Sequence, residues 1–149
     1  MEKQAFKINI NAPREKVWDI LWDDSTYPAW TEPFCEGSRA ETDWNEGSKV
    51  LFLDGKGSGM VSRIAEKKPN EYMSFEHLGT VKDGVEDTES EENKAWAGAR
   101  ENYLLQSENG GTALTVEMSL DGISPEMLSY FTQTWPKALD KLKEISEKN

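Results

Sequence analysis

The chain contains one cysteine and one histidine among its 149 residues. A single cysteine cannot form an internal disulfide, so a reducing compartment is the simpler expectation. With one thiol and one imidazole, the thiolate and imidazole sites that usually hold zinc cannot be assembled. We therefore expect neither a bound metal nor a cofactor.

The sequence also lacks a long apolar segment. No run approaches the roughly twenty apolar residues that a membrane-spanning helix requires, and the opening MEKQAFKINI lacks the apolar core of a signal peptide. The formal net charge of −11 repels phosphate backbones and anionic lipids, which excludes nucleic acid and membrane surfaces as expected partners. These features predict a cytoplasmic protein, and the length predicts one domain over residues 1–149.

The last quarter of the chain carries the strongest periodic pattern. Residues 124–148 predict one long helix, with Ser124 and Pro125 suited to its start. Its apolar residues recur at three- and four-residue steps and form one stripe: Met127, Leu128, Phe131, Trp135, Ala138, Leu139, Leu142 and Ile145. Such a stripe requires an apolar surface to pack on.

Pro136 interrupts this helix and leaves two alternatives. The helix kinks near Trp135, or it breaks into two helices with Thr134 capping the second. We favour the kink, because the stripe continues in phase across the proline. A kink would lift the first half of the helix and leave space beneath it.

The remainder of the chain is read as strands and two short helices. Residues 3–10 alternate as a half-buried strand, residues 13–22 predict a short helix, and a second helical turn follows around 25–30. Strand patterns then cover 35–42, 49–54, 59–66, 71–77, 97–107 and 112–120. Short turns between them, above all Asn109-Gly110, indicate an antiparallel sheet. The predicted fold class is α+β, a curved antiparallel β-sheet gripping a long C-terminal α-helix.

Four segments resemble a known superfamily. Residues 10–18, INAPREKVW, resemble the I-x-A-P-x-E-K-V-W opening of the START-like, or helix-grip (SRPBCC), superfamily. Residues 135–142 resemble the closing helix of its subfamily related to the C-terminal domain of the activator of the 90-kDa heat-shock-protein ATPase. Residues 59–61 and 69–75 stand where that subfamily has a G-x-V and a proline-led strand. The resemblance implies a β-α-α-β6-α fold with an elongated cavity between sheet and long helix.

That cavity would be lined by large apolar residues on the surrounding elements. The predicted ligand-binding residues are Trp30, Phe52, Phe75, His77, Glu101, Tyr103, Met127, Phe131 and Trp135. Trp18 and Trp22, four residues apart, are interpreted as core.

His77 and Glu101 are the weak candidates for catalysis. On its strand His77 shares a face with Met73 and Phe75, and Glu101 shares one with Tyr103, so both can point inward. An imidazole and a carboxylate in an apolar cavity form either an acid–base couple or a polar anchor for a ligand. Alternatively, His77 lies half-exposed at a strand end and never meets Glu101.

Two further features have a structural and a functional interpretation. Cys35 is a small buried residue or a reactive thiol, and no adjacent cation favours the thiol. The loop 82–94 is a solvated connection or a docking surface for a basic partner. Its acidic residues are Asp83, Glu86, Asp87, Glu89, Glu91 and Glu92.

Three functions are compatible with this sequence. The first is a non-catalytic module that binds a small hydrophobic or amphipathic molecule. The second is an interaction module for a chaperone or another basic protein, acting through the acidic surface. The third is a cavity enzyme, cyclase- or hydrolase-like, that uses His77 and Glu101. A closed, dry interior would favour the second, whereas an open pocket with two convergent polar groups would favour the third.

Overall fold

A computed structural model describes residues 3–23, 25–34, 37–94, 97–119 and 125–148. Its elements follow the predicted order of one strand, two short helices, a run of strands and a long helix. They are β1 (Lys3–Ile10), α1 (Arg14–Trp22), α2 (Tyr27–Thr31), β2 (Arg39–Glu41), β3 (Lys49–Leu53), β4 (Gly59–Lys68), β5 (Tyr72–Lys82), β6 (Val85–Asp87), α3 (Glu91–Lys94), β7 (Arg100–Glu108), β8 (Gly111–Ser119) and α4 (Pro125–Glu147).

All these strands join one curled antiparallel sheet. Its order is β1-β8-β7-β5-β4-β3-β2, and the short β6 pairs with β5. The α4 helix packs on β1 and on the two short helices. The predicted fold class, an α+β fold in which a curved antiparallel sheet grips the C-terminal helix, is confirmed.

The hairpin between β7 and β8 has the predicted turn. Asn109 and Gly110 form a two-residue connection with φ angles of 52° and 83°. Positive φ at both central residues is what a tight hairpin matched to the sheet twist requires. This connection fixes the register of the two strands that carry Tyr103 and Val116 opposite each other.

The α4 helix continues through Pro136 as one element. The alternative of two separate helices is therefore wrong. Burial differs between its two halves: Ala138 and Leu142 are fully buried, whereas Leu128 and Phe131 in the first half are only partly buried. Among the described helices, none combines the length and apolar character needed to cross a membrane.

The core is unusually rich in aromatic rings, and Trp22 lies at its centre. Its ring contacts those of Trp18, Trp44, Phe75 and Tyr103, with centroid separations of 4.9–6.0 Å. These contacts join α1 to β5 and β7. The interpretation of Trp18 and Trp22 as core residues is confirmed.

The structure corrects the predicted boundaries around the acidic segment. Strand β5 does not end at His77 but continues to Lys82, and β6 and α3 occupy part of what the sequence predicted as a loop. The turn at Asp83 and Gly84 has positive φ at both residues, so it closes a hairpin that the charge run obscured. The predicted strand 35–42 is found only at Arg39–Glu41. The predicted roles of Ser124 and Cys35 fall outside the described residues.

The C-terminal end of α4 is tied to the junction between β1 and α1. The backbone N–H of Asn11 donates to Glu147 Oε2 at 2.8 Å. Lys143 Nζ donates to the Asn9 carbonyl oxygen at 3.0 Å and also pairs with Glu147. These bonds, together with the buried leucines of the stripe, hold the second half of α4 in place.

Because Leu142 is fully buried in α4, we expect Leu142→Ala to lower the free energy of unfolding by about 2–5 kcal/mol. Lys141→Ala, at an exposed position of the same helix, should change it by less than about 0.5 kcal/mol. Urea denaturation of the two variants measures both values. Equal effects would contradict the packing described for α4.

The Glu147 contact predicts a pH dependence of stability. The Asn11 N–H, followed by Lys143, lowers the pKa of the Glu147 carboxyl below its ordinary value of 4.5. A lowered pKa in the folded state contributes stability that is complete above the ordinary value and is lost as the pH falls through the lowered one. Glu147→Gln should therefore be less stable than the parent at neutral pH, and the difference should vanish in acid. Denaturant unfolding at several pH values measures the difference in stability between the two proteins. If that difference stays constant as the pH falls, the stabilising role of the ionised Glu147 is contradicted.

Candidate functional site

A pocket of about 460 Å³ lies between the first half of α4, α2 and the sheet. Its wall is mainly aromatic, with a few polar groups. The lining residues are Tyr27, Trp30, Thr31, Phe34, Ser38, Phe52, Leu53, Asp54, Ser58, Gly59, Met60, His77, Glu101, Tyr103, Tyr130, Phe131 and Trp135. The pocket occupies the space that the sequence predicted beneath the first half of the long helix.

The structure brings most of the predicted ligand-binding residues together on this wall. Those that line it are Trp30, Phe52, His77, Glu101, Tyr103, Phe131 and Trp135. Phe75 is a correction, because it is fully buried behind the wall and packs against Phe52 and Trp22 at centroid distances of 5.1 and 5.3 Å. The side chain of Met127 lies outside the described ones.

Helix α2 and the residues after it build one side of the pocket. The indole N–H of Trp30 donates to the Leu21 carbonyl oxygen at 3.2 Å, which fixes α2 against α1. The ring of Phe34 meets Trp135 of α4 edge-on at 4.9 Å. The Tyr130 hydroxyl donates to the Phe34 carbonyl oxygen, so α4 is bonded directly to this side of the pocket.

A chain of hydrogen-bonding groups begins in the sheet and reaches the pocket. Ser62 Oγ lies 2.6 Å from His77 Nδ1, and His77 Nε2 lies 3.4 Å from Glu101 Oε1. The hydroxyl of Tyr103 donates to the other carboxylate oxygen of Glu101 at 2.5 Å. His77 is 6% exposed, Ser62 is 0% exposed and Tyr103 is 2% exposed. Water therefore competes little with the contacts between these side chains.

Both ring nitrogens of His77 face a polar group. Ser62 Oγ lies at Nδ1, and because a hydroxyl both donates and accepts, this contact suits either tautomer of the ring. Nε2 faces Glu101 Oε1 at 3.4 Å, which is longer than an ordinary hydrogen bond. The firm hydrogen bond to Glu101 is therefore the one that the Tyr103 hydroxyl donates.

An irregularity in the pairing of β4 with β5 places Ser62 opposite His77. The register of the two strands shifts between Val61 and Ser62, and it shifts again between Ile64 and Glu66.

His77 lies within β5, is 6% exposed and has Nε2 3.4 Å from Glu101. The alternative in which His77 lies half-exposed at a strand end and never meets Glu101 is therefore wrong.

Two groups of the pocket have shifted pKa values with opposite directions. Burial, and secondly the adjacent Glu101 charge, raise the pKa of Tyr103 well above 10.0. The backbone N–H groups of Ser58 and Lys56, which bond Asp54 Oδ1 at 3.1 and 2.7 Å, lower the pKa of the Asp54 carboxyl below 3.8. Tyr103 is therefore a neutral hydrogen-bond donor at neutral pH, whereas Asp54 is an anion.

Two described indole nitrogens are buried and have no hydrogen-bond partner among the described residues. They are Nε1 of Trp135, whose residue lines the pocket, and Nε1 of Trp22, which lies in the core. Leaving a buried donor unpaired costs about 1–3 kcal/mol. Because the Trp135 nitrogen is itself buried, it does not present a donor to the pocket.

The sequence predicts seven of the 17 residues that line the wall. Tyr27, Phe34 and Tyr130 are aromatic, but no local pattern distinguished them from core or surface residues. Ser62 was missed because its position opposite His77 depends on the register shift, which has no signal in the sequence. Within the described part of the chain, no three His, Cys, Asp or Glu side chains come together as a metal ion would require.

The chain matches a known family over most of its length. The family described as "Activator of Hsp90 ATPase homolog 1-like protein" matches residues 11–147. The chain belongs to this family, within the START-like (SRPBCC) superfamily. Members of this fold commonly bind hydrophobic ligands. A comparison with curated proteins gives no significant match.

Solved structures share the fold across almost the whole chain. The Aha1 dimer from Colwellia psychrerythraea is similar with a TM-score of 0.78 at 19% identity, over 99% of this chain and 98% of that one. Protein MLL2253 from Mesorhizobium loti has a TM-score of 0.73 at 17% identity, over 96% and 95%. CalU16 from Micromonospora echinospora has a TM-score of 0.69 at 18% identity, over 98% and 76%. At these identities the likeness shows the fold alone.

The raised pKa of Tyr103 predicts how stability changes in alkali. In the unfolded chain a tyrosine ionises near its ordinary pKa of 10.0, whereas the folded protein keeps Tyr103 neutral. This contribution is complete below the ordinary pKa and is lost as the pH rises above it toward the raised pKa. Above about pH 10, Tyr103→Phe should lose stability less steeply than the parent, by up to about 1.4 kcal/mol per pH unit. Identical slopes in urea denaturation at alkaline pH would refute the shift.

Proposed function

We propose that this protein binds a small hydrophobic or amphipathic molecule in the pocket under the first half of α4. The observation that supports this most directly is the combination of an aromatic wall, a volume of about 460 Å³ and a few convergent polar groups. Pockets of roughly 300–1,000 Å³ with that composition are the usual form of small-molecule sites.

The His77–Glu101 pair supports binding better than catalysis. A polar protein group faces each ring nitrogen of His77, Ser62 at 2.6 Å and Glu101 at 3.4 Å. A general base or acid must lie within hydrogen-bond reach of the substrate proton, and a buried ring that faces protein groups at both nitrogens is poorly placed for that. The carboxylate of Glu101 retains accepting capacity, because each oxygen carries two lone pairs. Its role in this proposal is that of a polar anchor.

Native mass spectrometry of freshly purified protein tests the proposal directly. We expect a small molecule to copurify, or the melting temperature to rise with members of a metabolite set, because a ligand bound only by the folded state stabilises it. Protein that carries no molecule and shows no such shift across hydrophobic and amphipathic compounds would contradict the proposal.

Two phenylalanines near Trp135 offer a matched pair of variants. Phe131 lines the pocket, whereas Phe6 stacks on Trp135 at 6.1 Å and is not among the lining residues. Phe131→Ala should weaken binding of 1-naphthylmethanol about tenfold, since it removes apolar area from the wall. Phe6→Ala should leave the affinity within about twofold. Isothermal titration measures both, and an equal loss in the two variants would place the ligand elsewhere.

A second candidate is an interaction module for a chaperone, acting through the acidic surface. The family is described as similar to an activator of the Hsp90 ATPase, and one solved relative is an Aha1 dimer. In this chain Glu86 of the acidic segment forms an ion pair with Lys49 at 2.9 Å. The charge of Glu86 is therefore partly neutralised within the protein. The ATPase rate of Hsp90 with and without the protein, at low and high salt, tests this candidate.

The third candidate is a cavity enzyme that uses His77 and Glu101. Conversion of a bound compound into a product would be needed to support it.

A further inference from the structure

The charge of the pocket wall has one sign. Two of the described lining residues carry a formal charge at neutral pH, Asp54 and Glu101, and none of the described lining residues is a lysine or an arginine. Asp54 is only partly buried, whereas the side chain of Glu101 is 14% exposed and lies next to His77. The pocket therefore presents one carboxylate in a shielded position and another closer to solvent.

No lysine or arginine among the described residues pairs with the shielded carboxylate. Among the ion pairs of the described chain, Glu101 takes part in one, with His77, which is charged only when protonated. The second contact of Glu101 is the Tyr103 hydroxyl. A shielded charge without a counter-charge is unfavourable unless a ligand supplies one.

Aromatic rings surround the same space. Trp30 and Trp135 lie 6.3 Å apart between centroids, and Tyr27 stacks on Phe52 at 6.3 Å. Ring faces attract cations, most strongly the faces of indoles, and they also accommodate an apolar ligand body. The Glu101 carboxylate and the aromatic rings thus both favour a cationic group on the ligand.

We propose, resting on the proposed ligand-binding function, that the pocket selects an organic cation: an ammonium group on an apolar body, with the ammonium paired to Glu101. An anionic amphiphile, such as a fatty acid, would place like charges together at short range and is disfavoured for that reason.

Three probes with the same aromatic body test the proposal: 1-naphthylmethylammonium, 1-naphthylmethanol and 1-naphthylacetate. At neutral pH we expect the ammonium to bind at least about tenfold more tightly than the alcohol, and the carboxylate at least about tenfold more weakly. The preference should persist in high salt, because a shielded pair is screened far less than attraction to the acidic surface.

A matched pair of variants assigns the preference to one carboxylate. Glu101→Gln keeps the shape and can still accept from Tyr103, and it should bring the ammonium and the alcohol to within about threefold of each other. Glu117→Gln makes the same change in net charge on β8, one residue from Met118, which pairs with Glu101 across the strands. It should keep the full preference.

The outcomes separate this inference from the function on which it rests. If the alcohol binds but the ammonium has no advantage, or the carboxylate binds most tightly, cation selection is wrong and the binding pocket stands. If the preference survives Glu101→Gln or disappears in high salt, the assignment to Glu101 is overturned. If none of the probes binds, including the neutral alcohol, both proposals fail.

Discussion

Burial of the second half of α4 is the interaction on which the rest of the structure depends. Ala138 and Leu142 are fully buried in the core, and Glu147 bonds the backbone at Asn11. The first half of the same helix is held by edge contacts, through Phe34 and Trp135 and the Tyr130 bond. Because the second half of α4 is fixed in the core, the first half can extend over the pocket without unfolding.

The pocket combines an apolar aromatic wall with a carboxylate, and placing a charge in apolar surroundings costs free energy. The aromatic wall excludes water, and that exclusion strengthens every bond in the chain from Ser62 to Tyr103. The same exclusion makes the Glu101 charge unfavourable without compensation. The Tyr103 hydroxyl satisfies the carboxylate by hydrogen bonding but not by charge.

Membership of the Hsp90-activator-like family explains the architecture but leaves the chemistry to individual residues. The solved relatives share the fold at 15–19% identity, so the residues of this pocket carry the functional argument. In this chain those residues are the aromatic wall and the polar chain behind it. The acidic segment forms β6 and α3, and none of its described residues lines the pocket.

Local sequence patterns were enough to predict the α+β class, the order of the main elements, the long amphipathic helix and the Asn109-Gly110 hairpin, because periodicity and turn chemistry are local properties. They also placed His77 and Glu101 on inward faces. Tertiary contacts were needed to establish that these two residues meet, that Ser62 lies against His77, and that Phe75 lies behind the wall. Those outcomes depend on strand register, where a shift of one residue exchanges the faces of a strand and no local pattern records it.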